Sequence, residues 1–168
     1  VESGRAAGWG ARGAALALGA AVLALGAMKA DPLYRAEALR FDARRAIDRQ
    51  ARGKGGTLDR ILPSSLIAFQ QAVKIDPTNA QAWGDLSYAV ALSWHVTRGN
   101  VVATGRRAEA AAREALARCP DIAEFWVHQG VALDMQARQA EAEPAFRRAL
   151  ALAPTRAEWH YYYAHHLS

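Results

Sequence analysis

The chain has one cysteine, Cys119, only six prolines and two methionines in 168 residues. A single cysteine excludes an intrachain disulfide. Few prolines and sparse β-branched residues argue against a strand-rich domain and leave an Ala- and Arg-rich, all-helical one. The signatures of chemistry are missing too. Gly53-Lys54-Gly55-Gly56-Thr57 lacks the spacing of a phosphate loop and follows no strand. His160, His165 and His166 sit at i, i+5 and i+6, whereas two metal ligands on one helical face need i, i+3 or i, i+4. Cys119-Pro120 has the form of a haem-regulatory dipeptide, but Asp76-Pro77 and Ala153-Pro154 occupy the equivalent place, so spacing explains it. No Ser/His/Asp or paired-carboxylate arrangement stands out. No catalytic residue, cofactor or metal site is expected.

The net charge is +5 with a pI near 9.8. Its arginines interleave with Asp and Glu, the mark of a solvated helical surface. No stripe joins basic residues to stacking aromatics, so nucleic acid is not an expected partner. The length suits one domain with a continuous core. The first residue is Val1 rather than Met, which suggests a processed, trimmed or partial chain.

Gly13 to Met28 carries neither a charge nor a hydrogen-bonding side chain. About 16 helical residues span roughly 24 Å, short of a ~30 Å hydrocarbon core. Arg12 and Lys29 can snorkel to lengthen the span, and Trp9 and Tyr34 fall where interfacial aromatics sit. The stretch also has the length of a signal-peptide core, but no small-x-small cleavage site follows it. A membrane anchor over residues 1–30 is the favoured reading. Small residues pair four apart at Gly13/Ala17, Ala15/Gly19, Ala17/Ala21 and Ala20/Ala24. Gly13, Ala17, Gly19, Ala20 and Ala24 therefore offer a surface for close packing on other membrane helices. The basic residues on both flanks leave the orientation open.

Asp31-Pro32 predicts a fresh helix start, and Leu33, Ala36, Leu39, Ala43 and Ile47 recur at helical spacing. Pro63-Ser64-Ser65 predicts another. Beyond these, the residues repeat. Counting back from Pro154 puts Trp126, Gly130, Leu133, Ala142, Phe146 and Ala149 in the places of one 34-residue unit. Trp83, Leu86, Ser87 and Val90, then Ala108, Ala112, Ala115 and Pro120, fill another. Pro77 to Pro120 spans 43 residues against 34 from Pro120 to Pro154, and the surplus predicts a long loop over Thr97–Gly105. Phe69, Ala72 and Pro77 close an earlier, degenerate unit. Ala157, Ala164 and Leu167 open a later one.

These units resemble the tetratricopeptide repeat. The resemblance implies an all-α, right-handed α-solenoid of three to four helical hairpins over residues 31–168. Its subdivisions are 31–77, 78–120, 121–154 and 155–168. Members of this class bind protein segments in a groove lined by the first helix of each hairpin. In this sequence the groove positions fall at Asp85, Tyr88 and Leu92, with Trp94 nearby, then at Glu124, His128, Val131 and Asp134, and finally at Tyr161, Tyr162 and His165. Such a groove reads as aromatic, aliphatic and somewhat acidic, suited to an apolar or basic segment. The family's carboxylate clamp needs Lys and Asn where this chain has Gly84 and Tyr88, Val127 and Val131, so an acidic C-terminal peptide is disfavoured. Arg106, Arg107, Arg113, Arg118, Arg147 and Arg148 fall on second helices and the outer face. The expected function is a membrane-anchored scaffold for protein partners in a membrane complex, of a bacterial inner-membrane kind. A membrane helix running directly into repeats also resembles the C-terminal end of polytopic O-antigen-ligase-like glycan enzymes. In that case the catalytic residues lie outside this chain.

Overall fold

A computed structural model describes the backbone from Ser3 to Ser168 and the side chains from Gly13 onward, Lys29 excepted. The flanking roles given to Trp9, Arg12 and Lys29 therefore fall outside the described side chains. The described residues form seven helices and no strand: α1 Ser3–Ala51, α2 Leu58–Ile75, α3 Ala80–Thr97, α4 Val101–Arg118, α5 Ala123–Asp134, α6 Gln139–Leu152 and α7 Ala157–His166. The chain divides into two compact units, Val1–Arg35 and Ala36–Ser168.

In the first unit every side chain from Gly13 to Met28 is exposed, Leu16 and Leu23 each by 76%. This is the one helix among the described residues that is long and apolar enough to cross a membrane, with mean hydropathy 1.7. Open space surrounds the place a Cβ would take at Gly13 and Gly19. Asp31-Pro32 does not start a new helix, because α1 runs through Pro32. Proline removes one i→i−4 bond, and the turns on either side keep theirs. Asp31 pairs with Arg35 at 2.9 Å instead of capping.

The second unit is a row of helical hairpins. α3 packs on α4, α5 packs on α6, and neighbouring hairpins meet through α2 on α3 and α4 on α5. One core joins Ala36, Ala43 and Ile47 of α1 to Leu62, Phe69, Ala72, Ala82 and Leu86. A second joins Val127, Phe146, Ala149 and Trp159. Ala108, Ala112, Ala115, Ala142 and Ala149 are fully buried, because only a small side chain lets two helix backbones come this close. Gly84 serves the same end. A Cβ there would lie 2.3 Å from Cε1 of Phe125, so glycine is what lets the α5 ring seat against α3.

Each repeat is also tied by a recurrent polar contact. The Trp83 indole N–H donates to the Pro77 carbonyl at 3.0 Å and that of Trp126 to Pro120 at 2.7 Å. In the next repeat the His160 Nε2 meets the Pro154 carbonyl at 2.8 Å. This contact joins the proline ending one repeat to the helix that opens the next.

The surplus residues do not form the expected loop. α3 has 18 residues against 12 in α5, and α4 has 18 against 14 in α6. The connection is only Arg98–Asn100, with Arg98 left-handed at φ 50°. The Asn100 side chain accepts from the Ala103 N–H at 2.9 Å and starts α4 at once. The insertion therefore lengthens two helices rather than a loop. Likewise α2 begins at Leu58, ahead of the expected Pro63.

Candidate groove

The first helices α3, α5 and α7 together line a cavity of about 620 Å³. Tyr88, Leu92 and Trp94 come from α3, His128, Val131 and Asp134 from α5, and Tyr161, Tyr162 and His165 from α7. Nine of the eleven residues picked from the sequence thus meet at one place. Ala91, His95, Val127 and Met135 complete the walls, while Val101 and Phe146 close the cavity from the second helices α4 and α6. His95 and Val101 belong to the lengthened ends of α3 and α4, so the insertion extends this groove.

Asp85 and Glu124 do not line the cavity, which corrects the acidic reading. Asp85 is completely buried and receives Arg40 Nη1 and Arg44 Nη1, each at 2.7 Å. The same Arg44 nitrogen reaches Glu124 at 3.0 Å, and Gln81 also donates to both carboxylates. Burial raises the Asp85 carboxyl above its ordinary range, opposed by Arg44 and Arg40. Arg44 also lies 5.0 Å over the Tyr88 ring. One guanidinium thereby joins the first helices of three hairpins. Arg40 and Arg44 are one turn apart on α1, in step with Ala36, Ala43 and Ile47, and this spacing is the sequence signal that identifies them.

The rest of the lining is nearly uncharged. His128 is 7% exposed and stacks on Tyr88 with ring centroids 5.5 Å apart. Burial lowers its pKa to about 4, so the ring is neutral at pH 7. Its Nδ1 is buried without a hydrogen-bond partner. Burial pushes the Tyr162 phenol up to about 12 and raises that of Tyr88, so both hydroxyls stay protonated. Asp134 is held by His166 at 2.8 Å. The result is an apolar, aromatic trough with few unpaired charges. The second-helix arginines Arg106, Arg107, Arg113, Arg118, Arg147 and Arg148 are all exposed. Arg118 lies over the Trp83 ring at 5.4 Å and donates to the Pro77 carbonyl at 2.6 Å. Among the described residues no cluster of His, Cys, Asp and Glu is arranged to hold a metal ion.

No family model and no curated protein matches the sequence. Solved structures do. The TPR domain of Arabidopsis OM64 superposes with a TM-score of 0.62 at 16% identity, over 80% of this chain and 96% of that one. A thermophilic TPR protein from Thermus thermophilus gives 0.58 at 22% identity, covering 83% and 73%. The first TPR of Spaghetti (RPAP3), bound to the HSP90 peptide SRMEEVD, gives 0.57 at 17% identity, covering 75% and 87%. The fold is a tetratricopeptide-repeat solenoid. Its hairpins include α3–α4 and α5–α6, with α7 following them.

Proposed function

We propose that this chain is a membrane-anchored scaffold that holds an apolar segment of a protein partner in the groove between α3, α5 and α7. The observation that carries the reading is the groove itself, in which nine chosen residues from three helices surround one aromatic trough. Spaghetti is a TPR protein with an HSP90 peptide bound, which supports peptide capture as the use of such a groove. The acidic peptide of that complex is not the ligand suggested here. Gly84 has no side chain to reach a carboxylate, Val127 and Val131 are apolar, and Arg40 and Arg44 are already committed to Asp85 and Glu124. Apolar side chains seated between Tyr88, Leu92, Val131 and Tyr162 account better for the lining.

The exposed apolar stretch Gly13–Met28 supports anchoring in a bilayer, and its Gly13, Ala17, Gly19, Ala20, Ala24 stripe supports packing beside other membrane helices in a complex. We place this in a bacterial inner membrane, following the resemblance to envelope glycan enzymes.

A photo-crosslinking residue in place of Leu92 or Tyr161, in the full chain in its native membranes, tests the groove. Adducts to one partner from these positions, and none from Arg106 on a second helix, support it. Equal labelling from all three removes the groove from the account. Resistance to alkaline extraction checks the anchor, and solubility after such extraction would refute it.

A further inference from the structure

Among the described residues, the trough wall contains one Asp, Glu, Lys or Arg. That residue is Asp134, the last of α5. His166 Nδ1 meets its Oδ1 at 2.8 Å and orients the carboxylate. Among the described residues no hydrogen bond reaches its Oδ2, and no lysine or arginine pairs with it. A carboxylate offers about four acceptor sites, so most of this capacity is unused. Burial raises the carboxyl above its ordinary range, an effect larger than the opposing His166 hydrogen bond. Its position on the helix adds to the cost. The C-terminal end of a helix carries partial negative charge, which disfavours an anion and favours a cation. The neighbouring carboxylates are better supplied. Glu143 pairs with Arg147 at 2.6 Å. Beside Tyr88, Arg44 serves both Asp85 and Glu124. The groove thus has its cation at the Tyr88 end and lacks one at Asp134.

We propose that Asp134 selects the partner: a lysine or arginine of the bound segment pairs with its Oδ2, while apolar neighbours fill the trough beside Tyr88 and Tyr162. This selection rests on the groove reading and fixes the register of the ligand within it. The long stem of either basic residue suits the wall near the carboxylate, where Trp94 and Met135 also line the cavity. An acidic side chain at the same point would face a like charge on a poorly solvated wall. Spacing follows from the helix. His128, stacked on Tyr88, and Asp134 are six residues apart on α5, roughly 9 Å at ~1.5 Å per residue. An extended segment covers that distance in about three residues. Its basic residue should therefore lie about three positions from its apolar anchor.

Short random peptides displayed on phage, selected against the full chain in detergent micelles, test this choice. Retained peptides should be enriched in lysine or arginine about three positions from a leucine, phenylalanine or similar apolar residue. A synthetic copy of one of them, with its basic residue changed to norleucine, should bind about tenfold more weakly, the loss of one charged hydrogen bond. Asp134→Asn keeps an oxygen for His166 and should bind both copies alike. Asp134→Lys should turn the selection toward acidic peptides. If neither variant folds, the norleucine comparison on the wild-type chain decides alone. Equal binding of the two copies by the wild type overturns Asp134 as the selector, as does discrimination that survives in Asp134→Asn. Apolar peptides with no basic preference that crosslink from Leu92 or Tyr161 would retain the groove and reject the selector. Peptides that crosslink only from Arg106, or a selection that enriches none, would reject both.

Discussion

Two polar clusters tie together the helices that line the groove, and they are built from different residues. At one end a single buried carboxylate, Asp85, sits between two cations, Arg40 and Arg44. At the other a buried imidazole, His166, sits between two carboxylates, Asp134 and Glu143. Both clusters join helices from successive repeats. The difference lies in burial. Asp85 has no exposed surface and is held by two guanidinium groups, which keep their charge throughout the physiological range. Asp134 and Glu143 each keep a quarter of their side-chain surface exposed. The α1–α3–α5 tie is therefore the more enclosed of the two.

The largest expected effect breaks the more enclosed end. Asp85→Ala leaves Arg40 and Arg44 facing an emptied, buried site and should cost about 3–5 kcal/mol, read as a lower urea midpoint. Asp134→Ala, where the carboxylate is only partly buried, should cost less than half as much. Equal losses would erase the contrast drawn between the two ends.

The second test uses pH. His128 has a folded pKa near 4, against about 6.5 for a free histidine. Below 6.5 the unfolded chain binds a proton that the folded chain refuses, so stability is full above 6.5 and falls as pH drops toward 4. The full effect is on the order of 3 kcal/mol. Urea titrations from pH 4 to 7 on wild type and His128→Gln should show the slope in the first and not in the second.

Gly84→Ala places a Cβ 2.3 Å from Phe125 Cε1, and the overpacking should cost about 1–3 kcal/mol. Stability unchanged within a few tenths would mean that α5 slides freely on α3. The smallest effect compares one contact made by two residue types. Trp126→Phe removes the indole donor to Pro120 and should cost about 1 kcal/mol. His160→Phe removes the exposed equivalent at Pro154 and should cost less, and thermal unfolding of the pair checks the order.

Much of the fold was legible because the repeat writes its packing into residue size. Alanines at fixed spacing, a tryptophan opening α3 and α5, and a proline closing each unit mark the hairpins. First-helix register then brought nine residues to one cavity. Two kinds of information were not legible. The 43-residue spacing says that residues were added, but a loop and two longer helices have the same length, and the cap at Asn100 decided between them. Asp85 and Glu124 sit in groove register, yet their charge is cancelled by Arg40 and Arg44, which are 45 and 80 residues away from the carboxylates they reach. Likewise the spacing of His160, His165 and His166 ruled out a shared metal without revealing that His166 bridges two other helices.

Sequence alone determined the class of structure, the hairpin register, the apolar helix and the aromatic character of the groove, because each depends on periodic side-chain size and polarity along one helix. Only the tertiary structure decided which charges remain available. Ion pairing depends on distances between helices far apart in the chain, and that geometry withdrew Asp85 and Glu124 from the groove and paired them with Arg40 and Arg44.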